Sequence, residues 1–299
     1  MKATLILGRV GYSLLLEDVI KELRGKGLDI DLNIYYSYKY VKRDDISRKS
    51  LLELITNSGV GLLSICNKAI GELTREHSRY VIPLTPYAVE FAKVPGNIDL
   101  MKVFNYWDNP SKENLRNLLL YLLNAIDGVP TAYEEPKVNP DVGFIDENLT
   151  ILSRPTNVSG SKPLLAVILY YPTTFEEVSI LRLLRDYVDA DLVIAYSRYG
   201  LHANALWGLQ SHGLSPDVIL DFTYKGQPSF PEAAVEVYKK LNAVVLRGLV
   251  MHADDVDTWR KSPQGLNFFD LMFQVVMPEI EGVAEPIPIG GVGIVGKSD

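Results

Sequence analysis

Short apolar runs alternate along this chain with longer amphipathic stretches, and that alternation confines it to one class of architecture. Thr4 to Leu7, Ile30 to Tyr35 and Gly61 to Ile65 read as buried strands, while Leu14 to Leu23 and Leu51 to Ile55 carry apolar residues at helical spacing. Val81 to Leu84 reads as a fourth strand. Ser111 is placed to cap a helix with Asn114 at its N3 position, running to about Ile126 and stopped by Gly128-Val129-Pro130. Repeated strand-helix-strand units bury their apolar faces as a parallel sheet covered by helices on both sides.

The pattern is interrupted and then resumes. Pro130, Pro136, Pro140, Pro155 and Pro163, with Asn, Ser and Gly between them, leave little regular structure beyond a short strand near Val142 to Ile145. After them, Leu164 to Tyr170, Leu192 to Tyr196, Asp217 to Leu220 and Ala243 to Leu249 read as strands. Glu176 to Tyr187, His202 to Gln210 (closed by Gly213), Pro231 to Leu241 and Phe268 to Val276 (ended by Pro278) read as helices. The expectation is an α/β protein of two open parallel-sheet βα domains, with room for a third: residues 1–128, a Pro-rich connection over 129–162, and residues 163–299. Ligands in such folds sit at the carboxyl ends of the strands, so residues that follow strands carry the most weight.

Composition excludes several classes. The 299 residues are 47% apolar and 22% charged, which is ordinary for a folded chain. A formal charge of −7 with no strong Lys/Arg cluster argues against nucleic acid as a partner. Cys66 is the single cysteine, the apolar run at the N-terminus is too short for a signal peptide, and nothing is long enough for a membrane span. The expected location is the cytoplasm. There is no G-x-S-x-G elbow, no H-E-x-x-H and no C-x-x-C pair.

The tail Gly291-Val292-Gly293-Ile294-Val295-Gly296-Lys297-Ser298 satisfies both the phosphate-loop and the dinucleotide patterns. Both need a following helix whose amides hold the phosphates, and only Asp299 follows, so a Gly-rich tail is expected and no ATP on this chain. His252 with Asp254, Asp255 and Asp257 follows a strand and offers ligands for a divalent cation, or else forms a solvated acidic loop with a helix cap. Arg198 and His202 follow another strand and are placed to meet a ligand carboxylate, or are ordinary groups at a helix start. His77 and His212 read as helix-end residues.

The most specific stretch is Trp259, Ser262 and Gly265-Leu266 leading into a helix, then Pro278-Glu279-Ile280-Glu281-Gly282, then Glu285-Pro286 opening a strand. In order and spacing this resembles the large subunit of the ATP-dependent metal chelatases, the CobN/magnesium chelatase H family, with Glu281 standing where Asp is expected. Tyr106-Trp107, Glu113-Asn114-Leu115, Leu118-Leu119, Tyr121-Leu122 and Lys162-Pro163-Leu164 continue the resemblance upstream. Family members are several times longer, so a front portion of such a subunit is expected, not active alone. The resemblance implies a ligase of cobalamin or other tetrapyrrole biosynthesis that binds a porphyrin or corrin precursor, with cobalt or magnesium as substrate. It also implies AAA+ partner subunits that hydrolyse ATP.

Metal insertion removes two pyrrole protons, so it needs a base near the ring, ligands to hand over the ion, and an apolar slot. Glu279, directly after a proline at a helix end, fits the base, with Glu281 and Glu285 able to raise its pKa by like-charge proximity; the alternative is a structural acid bonding turn amides. His252, Asp254 and Glu281 are the candidate metal ligands. Trp259, Arg198 and His202 are the candidate tetrapyrrole contacts, although a Trp near a strand end is more often core. The rival reading is a non-catalytic two-domain α/β module that closes on a small polar ligand or serves in assembly.

Overall fold

The computed structural model describes residues 1–7, 13–37, 45–64, 67–146, 150–156, 158–171, 187–198, 202–222, 237, 239–250 and 287–290, with single residues at 261, 263, 271 and 276. It divides into two units, Met1–Asn139 and Pro140–Asp299.

In the first unit, β1 (Lys2–Leu7), β2 (Asp31–Tyr36), β3 (Val60–Ser64) and β4 (Tyr80–Pro83) form a parallel sheet in the order β2-β1-β3-β4. β1 is central and almost wholly buried, as its unbroken apolar run requires. The helices are α1 (Ser13–Gly25), α2 (Asp45–Ser58), α3 (Lys68–His77), a 3-10 helix (Pro86–Phe91), α4 (Leu100–Asp108) and α5 (Lys112–Asp127). Stepping from β1 to β2 and then back across β1 to β3 sends right-handed crossovers to opposite faces. Accordingly α2 and α3 share one core with Ile6, Leu63 and Val81, while α1 packs with α5.

The expected Ser111 cap forms, its side chain accepting from Asn114 N at 3.0 Å, and Gly128 ends α5 with φ 68°. Two helices go beyond the elements read from the sequence, where only the charged end of α3 at His77 was noted, and each begins at a side-chain cap. Asn67 caps α3 by accepting from Ile70 N at 3.2 Å, and Asp99 caps α4 by accepting from Met101 N at 2.9 Å.

The first part of the Pro-rich segment is packed rather than free, and the division between the two units falls within the expected 129–162 connection, at Asn139. That part belongs to the first unit, where buried asparagines hold it against α4 and α5. Asn114 Nδ2 donates to Lys137 O at 2.7 Å and its Oδ1 accepts from Lys137 N at 3.0 Å. Asn117 Oδ1 accepts from Glu134 N at 3.2 Å, and Asn109 Oδ1 from Asn139 N at 3.1 Å. An amide side chain offers the same donor and acceptor as a peptide, so these residues pair the extended strap much as a strand would.

The second unit is a seven-stranded sheet, order β11-β10-β9-β7-β8-β5-β6. Its strands are β5 (Val142–Ile145), β6 (Ile151–Leu152), β7 (Leu164–Tyr171), β8 (Asp191–Arg198), β9 (Val218–Asp221), β10 (Val244–Val250) and β11 (Ile287–Gly290). β7 to β11 are parallel, as expected. β5 pairs antiparallel with both β8 and β6; only residues 146–150 separate β5 from β6, too few for a parallel crossover, and Thr150 N donates to Asp146 Oδ1 at 2.8 Å. α6 (His202–Ser211) packs on β7 and β8. The helices expected at 176–187 and 268–276 lie outside the described residues except for Tyr187, Leu271 and Val276.

Candidate ligand-binding edge of the second unit

Because β7 to β11 are parallel, their carboxyl ends share one edge of the sheet. The chain steps from β7 to β8 on one side and then returns past β7 to β9, which puts the topological switch point between the ends of β7 and β9.

The structure brings two of the sequence-derived candidates to this edge. Arg198 is the last residue of β8; its Nε lies 2.8 Å from Asp141 Oδ1, and its backbone N donates to Asp141 O at 2.8 Å. Asp141 directly precedes β5, so the antiparallel edge strand fixes where the guanidinium sits. His202 opens α6, and residues 199–201 are all that separate it from Arg198. Trp259, His252, Asp254, Glu279 and Glu281 lie outside the described residues. So do Cys66 and the Gly-rich tail after Gly290. His77 ends α3 and His212 follows α6, as expected, with His212 Nδ1 2.8 Å from Gly208 O.

Two buried polar residues at the same edge were missed. Ser197 precedes Arg198 and Asp221 ends β9; both are fully buried. Their signal is a polar residue closing an otherwise apolar run, Leu192 to Tyr196 in one case and Val218 to Leu220 in the other. Beside them, the Tyr196 hydroxyl donates to Pro140 O at 3.3 Å, and burial pushes its pKa up to about 12, so it stays a neutral donor.

The opposite, amino edge holds a cavity of about 530 Å³ between Phe144, Leu152, Lys162 and Val193. Its charges are engaged structurally. Lys162 pairs with Asp189 at 2.6 Å, and Asp191 accepts from Ser159 N at 2.6 Å and Gly160 N at 3.1 Å. The Ser159 hydroxyl and then these amides hold the Asp191 carboxyl below the usual range, pinning the loop before β7. No three metal-ligating side chains gather among the described residues, nor is any helix among them long and apolar enough to cross a membrane.

The family model described as CobN/Magnesium Chelatase matches residues 104–298. The chain belongs to that family. Its fold agrees with the catalytic subunit of cobaltochelatase from Mycobacterium tuberculosis, with a TM-score of 0.57 at 15% identity. That match covers 93% of this chain and 24% of the cobaltochelatase chain. An uncharacterised protein of Methanocaldococcus jannaschii is 28% identical over 225 residues, 64% of this chain and 18% of that protein. A second from the same organism is 38% identical over 58 residues, 19% of this chain and 5% of its own length. The chain thus spans about a fifth to a quarter of the first two relatives. Within the chelatase family, the sheet edge carrying Arg198, His202, Ser197 and Asp221 falls wholly inside the matched region.

Proposed function

We propose that this chain is the tetrapyrrole-binding front portion of a chelatase large subunit, acting in ATP-dependent insertion of cobalt or magnesium into a corrin or porphyrin precursor in the cytoplasm. The observation that carries the reading is the family match over residues 104–298. The shared fold with a cobaltochelatase catalytic subunit supports it. Insertion exchanges two pyrrole N–H protons for one divalent ion, so two protons must leave as the metal enters.

In this reading Glu279 accepts a pyrrole proton, and His252, Asp254 and Glu281 hold the incoming ion, which is substrate rather than resident cofactor. Trp259 covers the macrocycle. Arg198 and His202, at the carboxyl edge of the second sheet, meet its acidic side chains, with Asp141 holding the guanidinium in place. ATP is hydrolysed by AAA+ partner subunits, and the chain alone inserts no metal.

The test is a titration of the chain with protoporphyrin and with a hydrogenobyrinic acid diamide analogue, followed by the Soret band and tryptophan quenching. Saturable binding is expected, weakened about tenfold by Arg198→Ala through loss of one charge-assisted contact. Glu279→Ala should leave binding intact and lower insertion once partner subunits are added. Absence of a spectral shift with either ligand would remove the tetrapyrrole site from this chain.

A further inference from the structure

Burying a hydroxyl with no partner is unfavourable, and proteins seldom do it without a group to receive the hydrogen bond. Ser197 is fully buried at the carboxyl end of β8, and its Oγ has no hydrogen-bond partner among the described residues. Its direction follows from strand alternation. Val193 and Ala195 belong to one core with Ala203, Leu206 and Leu209 of α6. Side chains two apart on a strand share a face, so Ser197 continues that row on the side that α6 covers.

The first turn of α6 lies over the same end of the row. Ala203 packs in the core that contains Ala195, and residues 199–201 are all that join β8 to the helix. The backbone N–H groups of His202, Ala203 and Asn204 have no acceptor within their own helix, and the positive end of the helix dipole is there. A buried hydroxyl donor and a helix N-terminus therefore meet at one spot on the carboxyl edge. Asp221 does not oppose this arrangement directly. β7 separates β9 from β8, so Asp221 stands off by roughly 10 Å, two strand spacings.

We infer that Ser197 and the first turn of α6 form an oxyanion pocket that takes one carboxylate of an acidic ligand. That the ligand is a tetrapyrrole rests on the function proposed above; the pocket itself does not. Ser197 donates its hydroxyl proton to one carboxylate oxygen and the helix amides donate to the other. Arg198, the next residue in the strand, points to the opposite face, where Asp141 pairs with it at 2.8 Å, so the pocket is built without it.

The experiment uses the full chain, as wild type and as Ser197→Ala, in thermal melts with succinate, inorganic phosphate or chloride at equal ionic strength. Spectral titrations with uroporphyrin and with its octamethyl ester accompany them. The wild type should show a saturable rise in Tm with succinate that exceeds those with phosphate and chloride. Ser197→Ala should lose that rise, keep or raise the Tm of the ligand-free chain, and bind uroporphyrin about tenfold more weakly while its weaker affinity for the ester is unchanged. Preference for phosphate would overturn the carboxylate assignment. A lower Tm for ligand-free Ser197→Ala, with no anion effect in either protein, would show that the hydroxyl is satisfied internally and overturn the pocket. Failure of both porphyrins to bind, with the succinate response intact and dependent on Ser197, would remove the tetrapyrrole reading and leave the pocket standing.

Discussion

Glu22 shows how one carboxylate ties two helices together. It accepts from Lys26 Nζ at 2.7 Å, just past the end of α1, and from Arg116 Nη2 at 2.9 Å on α5. The Lys26 hydrogen bond first, then that of Arg116, hold its pKa down to about 2. A carboxylate depressed in the folded state stabilises the fold above its ordinary value of 4.5 and loses that contribution as pH falls toward about 2. The side chains of Glu22 and Arg116 are 27% and 30% exposed, which limits the gain. Arg116→Ala is expected to lower stability near neutral pH by about 1 kcal/mol, and by clearly less near pH 2, in urea denaturation at the two pH values. Equal losses at both would assign the effect to packing of the arginine stem. Neither partner was singled out in the sequence, since their positions lie far apart along the chain and only the packing of α1 on α5 joins them.

Among the elements, α3 depends on a glycine for its fit. A Cβ built on Gly71 would sit 2.4 Å from the ring of Phe91 in the 3-10 helix, and one on Gly61 in β3 would sit 2.4 Å from Thr74 Cγ2 of α3. Alanine is the better helix former by about 1 kcal/mol, so Gly71→Ala would stabilise an isolated helix. Here overpacking should reverse the sign and cost about 1–3 kcal/mol, with partial recovery when Phe91→Leu is added. Thermal melts of the two single variants and the double variant measure that coupling. The closeness of Gly71 to Phe91 has no signature in local sequence, because it is set by how α3 packs on the 3-10 helix.

At the scale of the whole molecule, the asparagine strap sets where the first unit ends. Asn109, Asn114 and Asn117 are buried, and the side-chain oxygen of each accepts from a backbone N–H of residues 134–139. A fragment of residues 1–139 should therefore melt well above one of residues 1–128, which leaves several buried amide groups unpaired at about 1–3 kcal/mol each. Equal melting temperatures would mean that the strap contributes nothing and that the boundary read from the prolines is the working one.

The alternation of strand and helix, the parallel sheets, the Ser111 cap and the membership in the chelatase family were legible in the sequence. Each rests on local periodicity or on a motif of fixed spacing. The positions of Arg198 and His202, closing a strand and opening a helix, were legible for the same reason, since such places can be counted off along the chain. The strand order was not, because which strands pair is decided by crossovers and core packing across many residues. That order alone places the switch point between β7 and β9. It also turns the hairpin of β5 and β6 against β8, and so gives Asp141 to Arg198. Ser197 looked like the polar end of an apolar strand; only the packing of α6 over its face makes it a buried donor without a partner among the described residues.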